Sequence, residues 1–536
     1  MTVTIQFCGA ARTVTGSCYH LTHPGGSFLV DCGLFQGSKT LRELNYGAFP
    51  FAADKVDFVL LTHAHIDHSG LVPKLIKVGM PGPVFATAGT RDLLAFMLPD
   101  SGHIQESEVE RLNLRNAQRD RPPVTPIYTR VEAEESLARL RAVEYGAWIS
   151  CGPGVRARWW NAGHILGAAS IEIEIATGDE KKPTLRLLFS GDIGPEHKLF
   201  HPDPEAPTGL DYLIVESTYG DRDRPDITPA ARRRQLKDEV QTALKRGGNL
   251  LIPAFAVERT QELLLDLQHL VLAGEIPAAP VYVDSPLAIR ATQVFLNHAP
   301  SLEDTDKVPH PFAAPNLRYV ETVEQSKALG RVVSGAIIVA ASGMCDAGRI
   351  RHHLKQNLWR PEATVLFVGY QAPGTLGRLL LENTSQVRIH GEEISVRAAI
   401  RRLDVYSGHA DRSELLAWVR KRLPVSQATF LTHGEESAMA ALRDDLAGAG
   451  CDLARTFLPE LDDCVVLGEN RPRWLKGPRR LPSEAVGGPD WHNSYAALVL
   501  DLQHTLRDLG DDSSRQSMIE KLRQVLGHKL KSRPPT

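Results

Sequence analysis

The sequence predicts an α/β protein made of two interleaved parts. Three observations carry that expectation. Short β-type runs separated by glycine-rich turns fill the first 60 residues and return at 155–189, as in hairpins. From about residue 210, apolar strand-like runs alternate with helical stretches, as in βαβ units and a parallel sheet. Ligand-type side chains stand just past apolar strands on both sides of that alternating region. The chain therefore leaves the first part, builds the second and returns.

The elements follow in order. Val3–Phe7, Ser17–Thr22 and Ser27–Val30 read as short strands. Val56–Leu61 is a buried strand by composition and runs straight into Thr62-His63. Gly70–Val78 reads as helix, and Thr90–Gln118 as helix broken near Pro99–Gly102. Arg121–Thr129 holds three prolines and reads as a loop, with Glu132–Val143 helical after it. Val155–Trp160, Ser170–Ile175 and Leu185–Phe189 return to strand.

In the alternating region the strands are Tyr212–Val215, Asn249–Ile252, Val281–Val283, Ala336–Ala340 and Thr364–Val368. Pro229–Leu244, Val257–Leu272 and Arg349–Asn357 are helical, and the polar, Pro-rich stretch 301–316 is a surface loop. Then come a strand (Gln386–Ile389), a helix (Arg412–Arg422), a strand (Ala428–Leu431) and a helix (Ser437–Ala447). Arg471–Arg480 reads as a linker or exposed arm before helical stretches at Ser494–Leu509 and Ser514–Leu526.

With 536 residues the chain holds three or four domain-sized units or two large ones. It is 43% hydrophobic and 23% charged, which excludes a mostly disordered or collagenous chain. Its 61 Lys and Arg against 64 Asp and Glu give a net charge of −3, which argues against a globally basic nucleic-acid binder. Residues 471–536 carry 12 basic and 7 acidic side chains, so basic charge gathers in the tail. No apolar run is long enough to span a membrane, and no leader is expected. Seven cysteines without CxxC spacing fit reduced thiols in a cytoplasm better than a disulfide framework.

The sharpest signal is Thr62-His63-Ala64-His65-Ile66-Asp67-His68, with four potential metal ligands within six residues after a strand. Imidazole with carboxylate suits zinc or a similar divalent ion. His164 (NAGHILG), Asp192 (FSGDIG) and His433 (FLTHGE) repeat the pattern of strand, ligand and nearby glycine. Together they make seven ligands, enough for two ions sharing a bridging carboxylate.

This pattern resembles the metallo-β-lactamase superfamily, with its His-x-His-x-Asp-His signature and distant His, Asp and His. The resemblance implies an αββα sandwich. It implies that His63, His65 and His164 hold one zinc, that Asp67, His68 and His433 hold the other, and that Asp192 bridges. The 241 residues from Asp192 to His433 match the β-CASP branch, in which a Rossmann-like domain caps the sandwich. Glu216 in VESTYG matches its motif A, His409 in YSGHADR its motif B, and His433 in THGE its motif C. The resemblance is closest to archaeal and bacterial relatives of the endonuclease subunit of the cleavage and polyadenylation specificity factor. The tail after about 470 departs from their compact form. The expected division is 1–208 for the first part of the sandwich, 209–384 for the β-CASP domain, 385–468 for the second part and 469–536 for a basic linker and helical tail.

Two turns in the insert read as phosphate-binding without the family. Ser342-Gly343-Met344 lies between a strand and a helix, and Gly369–Arg378 offers Thr375 and Arg378 after another strand. The expected activity is a two-zinc ribonuclease. A hydroxide bridging ions roughly 3.5–4 Å apart attacks phosphorus, and the resemblance implies 5′-phosphate and 3′-hydroxyl ends. Asp67, Glu216 and His409 form the catalytic set. His409 is the general acid toward the leaving 3′-oxygen, and Glu216 orients it and keeps it protonated. The alternatives are a DNA nuclease of the same branch and a thioesterase or lactonase of the superfamily. The expected partner is RNA, single-stranded, with no membrane and a homodimer left open. Endo- or exonucleolytic mode stays open too.

Overall fold

The computed structural model describes residues 2–486 except 181, 225–227, 305–307, 370, 372–374, 469 and 470, and in the tail 498, 502, 505, 506 and 508–530. Part of the turn at 369–378 and most of the helical stretch expected at 494–509 lie outside the described residues.

Two sheets form the body. Among the described residues the first has eight strands in the order Arg473–Leu475, Cys464–Leu467, Val3–Phe7, Tyr19–His23, Gly26–Val30, Phe58–Leu60, Val84–Thr87 and Leu140–Val143. The second has seven, in the order Thr456–Phe457, Ala428–Thr432, Tyr212–Glu216, Thr184–Phe189, Ala169–Ala176, Val155–Asn161 and Ile149–Gly152. Period-two patterning sets their facing surfaces. Val3, Ile5 and Phe7 point inward from one sheet, and Ile171, Ile173 and Ile175 from the other, into a shared core with Phe28, Phe58 and Trp159. The Trp159 indole N–H donates to the Leu61 carbonyl at 3.0 Å, tying the second sheet to the strand that leads to His63.

Helices cover both outer faces. Leu415, Trp418 and Val419 of Arg412–Arg420 and Met439, Leu442 and Leu446 of Glu436–Gly448 pack on Leu213, Val215 and Leu431. On the other side Leu71, Val72, Leu75, Leu93 and Leu94 pack on Leu29, Val59 and Leu61. This is the expected αββα sandwich.

The insert forms a third sheet of six parallel strands among the described residues. Their order is Leu317–Tyr319, Val281–Val283, Ile337–Ala340, Leu250–Pro253, Thr364–Phe367 and Ala399–Arg402. Pro229–Lys245 leads into it, and helices such as Arg259–Leu272 and Pro286–His298 connect its strands, giving the Rossmann-like cap.

Four local expectations change. The helix Ala88–Ala117 runs on through Pro99, because Leu93, Leu94, Met97 and Leu98 anchor it in the core. Gly102 admits the Thr129–Arg130 backbone, which lies 2.8 Å from where a Cβ would stand. The helix expected over Glu132–Val143 ends at Ser136, and Leu140–Val143 joins the first sheet beside Val84–Thr87. Ala399–Arg402 pairs with Thr364–Phe367, so the cap sheet runs past the boundary expected at 384, and Tyr212–Glu216 pairs in the second sandwich sheet, so the cap begins after it rather than at 209. The arm at Arg471–Arg480 is docked rather than loose. Arg473–Leu475 extends the first sheet, and Trp474 meets Phe457 edge-on at 5.8 Å between ring centroids.

Candidate metal centre

Four chain segments deliver ligand-type side chains to one edge of the sandwich. His63, His65, Asp67 and His68 follow the strand Phe58–Leu60, with Asp67 and His68 on the one-turn helix Ile66–Ser69. His164 sits in the turn after Val155–Asn161, and Asp192 follows Thr184–Phe189. His433 follows Ala428–Thr432 with φ of 48°, a left-handed conformation that turns its ring back over the strand end. Gly194 lets the Asp192 loop lie against Gly163, whose carbonyl oxygen would be 1.9 Å from any Cβ there.

The atoms converge in two groups. His63 Nε2 and His164 Nε2 each lie 3.1 Å from His65 Nδ1. His68 Nε2 and His433 Nε2 are 3.1 Å apart, with Asp67 Oδ2 3.6 Å from His433. Asp192 stands between the groups. Its Oδ2 is 3.4 Å from His63 and 3.5 Å from His164, and its Oδ1 is 3.3 Å from His68. Asp192 Oδ1 is buried with no hydrogen-bond partner. A buried polar atom left without a partner costs about 1–3 kcal/mol, and more when it is charged. A cation at that point removes the cost.

Protonation fits the same reading. Burial, reinforced by neighbouring imidazoles, holds His63 and His164 well below the usual range and His65 at about 4. These rings are neutral at pH 7 and offer lone pairs, as metal binding requires. Burial opposes ionisation of Asp192, but His433, His68 and His63 pull its carboxyl well below the ordinary range. Asp67 is lowered too, against its burial, by His433 and His68. His68 is pushed the other way. Burial would lower it, yet Asp192 and Asp31 raise it well above the usual value. The proton that Asp192 and Asp31 draw onto His68 marks a place for positive charge, which a metal would take in its stead, so the donor set fits a metal.

Glu216 and His409 stand beside these groups, Glu216 close enough to Asp192 and His433 for the three to hold an ion together. His409 Nδ1 is 3.2 Å from Glu216 Oε2 and 4.0 Å from Asp192 Oδ2. The His409 ring keeps 21% of its surface exposed while Glu216 is buried. Burial would lower the His409 pKa, and the Glu216 carboxylate, with Asp192 and Asp67, more than compensates, so it is raised. Glu216 Oε1 also accepts the Ile193 N–H at 2.5 Å, which steadies the Asp192 loop.

The two cap turns lie at the C-terminal ends of Ile337–Ala340 and Thr364–Phe367, on either side of Leu250–Pro253. They pack on each other. The Gln371 amide donates to the Gly343 carbonyl at 2.8 Å, and the Gly377 N–H to the Met344 carbonyl at 3.1 Å. Ser342 Oγ accepts from the Ala347 N–H at 3.4 Å. Thr375 caps the helix Leu376–Leu381 by accepting from Arg378 N, and the Arg378 guanidinium donates to Glu382 at 2.6 Å.

The sequence reading missed several supporting groups. Asp31 accepts from the Thr62 N–H and hydroxyl, both at 2.8 Å, and lies 2.7 Å from His68 Nδ1. Thr218 Oγ1 lies 3.2 Å from His433 Nδ1. Asp31 carries the same signal as the ligands, a polar residue after the strand Gly26–Val30 with Gly33 close by. Glu258, buried in the cap, has burial working against its charge but is held down to about 2 by His201 and Lys198. No motif announces it.

Comparisons with known proteins agree with the architecture. Residues 11–129 match a family model described as the metallo-beta-lactamase superfamily. Residues 260–380 match the Beta-Casp domain, and 393–459 the Zn-dependent metallo-hydrolase RNA specificity domain. The chain is 37% identical over 451 residues to ribonuclease TTHA0252 of Thermus thermophilus, covering 83% of this chain and 96% of that protein. It is 30% identical over 455 residues to transcription termination factor FttA of Methanosarcina mazei, covering 82% of this chain and 68% of that one.

Proposed function

Because the chain belongs to the β-CASP branch of the metallo-β-lactamase superfamily, we propose that it is a zinc-dependent ribonuclease hydrolysing phosphodiester bonds of single-stranded RNA. One observation carries the reading. Asp192 turns one carboxylate oxygen to each of two ligand groups, and the His409–Glu216 pair stands 4.0 Å from it. A thioesterase or lactonase needs neither that pair nor a cap.

His63, His65 and His164 would hold one zinc ion and Asp67, His68 and His433 a second, with Asp192 shared. Bound there, the metal supplies Lewis acidity, acidifying water and offsetting charge on the phosphoryl oxygens. The chain's own residues do the rest. His409, with Nδ1 committed to Glu216, carries on Nε2 the proton for the leaving 3′-oxygen. Glu216 fixes that tautomer and favours the protonated ring. The products are then 5′-phosphate and 3′-hydroxyl ends.

Ser342, Gly343 and Met344 form one wall of the cap at its strand ends, where open parallel sheets bind ligands. Thr375 and Arg378 form the adjoining wall. We assign both to the RNA backbone, with Thr375 also serving as a helix cap. Most metal-facing groups are buried, so a phosphate must be drawn inward, which a single strand allows more readily than a duplex. We divide the chain as 1–228, which keeps Tyr212–Glu216 in the sandwich, a cap of 229–402 that follows its sheet, 403–480, whose strand Arg473–Leu475 completes the first sheet, and a tail beyond. Seven free cysteines favour a reducing, cytoplasmic setting. Among the described residues no helix is long and apolar enough to cross a membrane.

The test is cleavage of RNA labelled at each end in turn by the purified zinc protein. A ladder from one or both ends supports the reading and separates endo- from exonucleolytic cutting. Inert RNA with a cut DNA substrate replaces it by the DNA-nuclease reading.

A further inference from the structure

Glu258 is a charged, buried residue in a backbone conformation that suits glycine. Its φ is 69° and ψ −64°, and the Arg259 N–H bonds back to the Val257 carbonyl at 2.9 Å. That is the rare form of the three-residue turn, strained for any residue with a Cβ. Local preference therefore does not explain a glutamate here, and the side chain must.

The side chain reaches out of the cap into the sandwich. Oε2 accepts the Leu166 N–H at 3.0 Å, two residues beyond His164. Oε1 lies 2.7 Å from His201 Nε2 and 3.4 Å from Lys198 Nζ. Lys198 Nζ in turn donates to the His164 backbone carbonyl. On its other side His164 is held by Nδ1, 2.6 Å from the Gly408 carbonyl. Gly408 precedes His409, and a Cβ on it would lie 3.0 Å from the His164 ring and 4.0 Å from the Arg259 guanidinium. Glu258 thus bonds the His164 loop from the cap, while Gly408, next to His409, holds His164 from the other side, and the two rings are 4.6 Å apart.

We propose that Glu258 is a positioning residue, a carboxylate supplied by the cap that fixes the His164 loop and so sets where His164 stands relative to His409. The strained turn is the means by which it reaches across the domain boundary. Only the kinetic part of this inference rests on the ribonuclease reading.

The experiment compares full-length wild type with Glu258→Gly and Glu258→Gln. Glycine accepts the turn without strain, which offsets only part of the cost of leaving Lys198 and His201 buried without their carboxylate, so its thermal midpoint should fall. Glutamine keeps an acceptor for Leu166 but loses the charge facing Lys198 and His201. Zinc affinity should fall by about 10–100-fold in Glu258→Gly, the range for loss of an outer-shell partner, and by less in Glu258→Gln. Amide exchange at Leu166 in the zinc-free protein should quicken by about tenfold in Glu258→Gly. Single-turnover RNA cleavage should fall by about 10–100-fold at saturating zinc, with RNA affinity held. Zinc affinity equal to wild type in both variants overturns the inference. If Glu258→Gly does not fold, the glutamine variant alone decides by the same affinity measurement. A wild type that does not cut RNA removes the kinetic arm and the ribonuclease reading, while zinc affinity still decides the positioning role.

Discussion

His409 Nδ1 lies 3.2 Å from Glu216 Oε2, and the same carboxylate's Oε1 accepts the Ile193 N–H next to Asp192. One buried glutamate therefore joins a partly exposed imidazole to the loop of the carboxylate shared between the two ligand groups. On the proposed reading the arrangement separates proton transfer from metal binding.

His409→Ala should keep zinc and RNA affinity, while the single-turnover rate falls by about 10²–10⁴, the usual range for a lost general acid. His433→Ala should lose metal, because His433 Nε2 is 3.1 Å from His68 Nε2 in the second ligand group. Glu216→Gln should resemble His409→Ala in milder form. Elemental zinc content, RNA binding and single-turnover rate on each variant check this. Zinc loss in His409→Ala with metal retained in His433→Ala would reverse the two roles.

Asp192→Ala should lower zinc content in both groups at once, since its two oxygens face different histidines. His63→Ala should affect chiefly the group it shares with His65 and His164. Equal zinc stoichiometry in Asp192→Ala and wild type would contradict the bridging assignment.

The candidate metal set is legible in the sequence because each ligand ends an apolar strand, a pattern that needs no knowledge of the fold. Asp31 shares the pattern but serves His68 and Thr62, so position alone does not separate ligand from supporter. Glu258, Lys198 and His201 are not legible, because they meet across 57 and more residues without any periodic signal. The same holds for the strands that the sequence hides. Ala399–Arg402 is half-exposed at a sheet edge with two arginines, and Arg473–Leu475 is only three residues long. Leu140–Val143 follows its helix with no glycine or proline between, so the helical pattern continues into it.

The cap should lose stability in acid through Asp284. Its carboxylate accepts from Ser326 and Arg349 at 2.6 Å and pairs with His353 at 2.7 Å. Burial raises its pKa, but these partners prevail and hold it below the ordinary value. A depressed carboxylate stabilises the fold above its unfolded pKa, about 3.9, and that contribution is lost as pH falls through the folded value. Asp284→Asn should cost about 3 kcal/mol at pH 7, as for a broken buried pair, and clearly less near pH 3. Urea denaturation at the two pH values measures the difference. A cost independent of pH would assign the effect to packing.

The basic arm should act on stability rather than on RNA. Five basic residues surround Trp474, a composition that invites a nucleic-acid role. Two of them are already engaged within the chain. Arg480 pairs with buried Asp462 at 2.8 Å and donates to the Cys8 carbonyl, and Arg479 lies 2.7 Å from Asp463 and also bonds Glu460. These bonds staple the arm to the start of the first sheet, beside Phe7 and Cys8. Arg480→Ala leaves a buried carboxylate without its cation and should cost about 2–4 kcal/mol, somewhat below a fully buried pair because Arg480 is 20% exposed. Removing one cation that neutralises a phosphate of a single strand would reduce the slope of log K against log salt by about 0.7. Arg480→Ala should leave that slope unchanged while lowering the thermal midpoint. A fall in the slope with the midpoint held would place Arg480 on the RNA backbone instead.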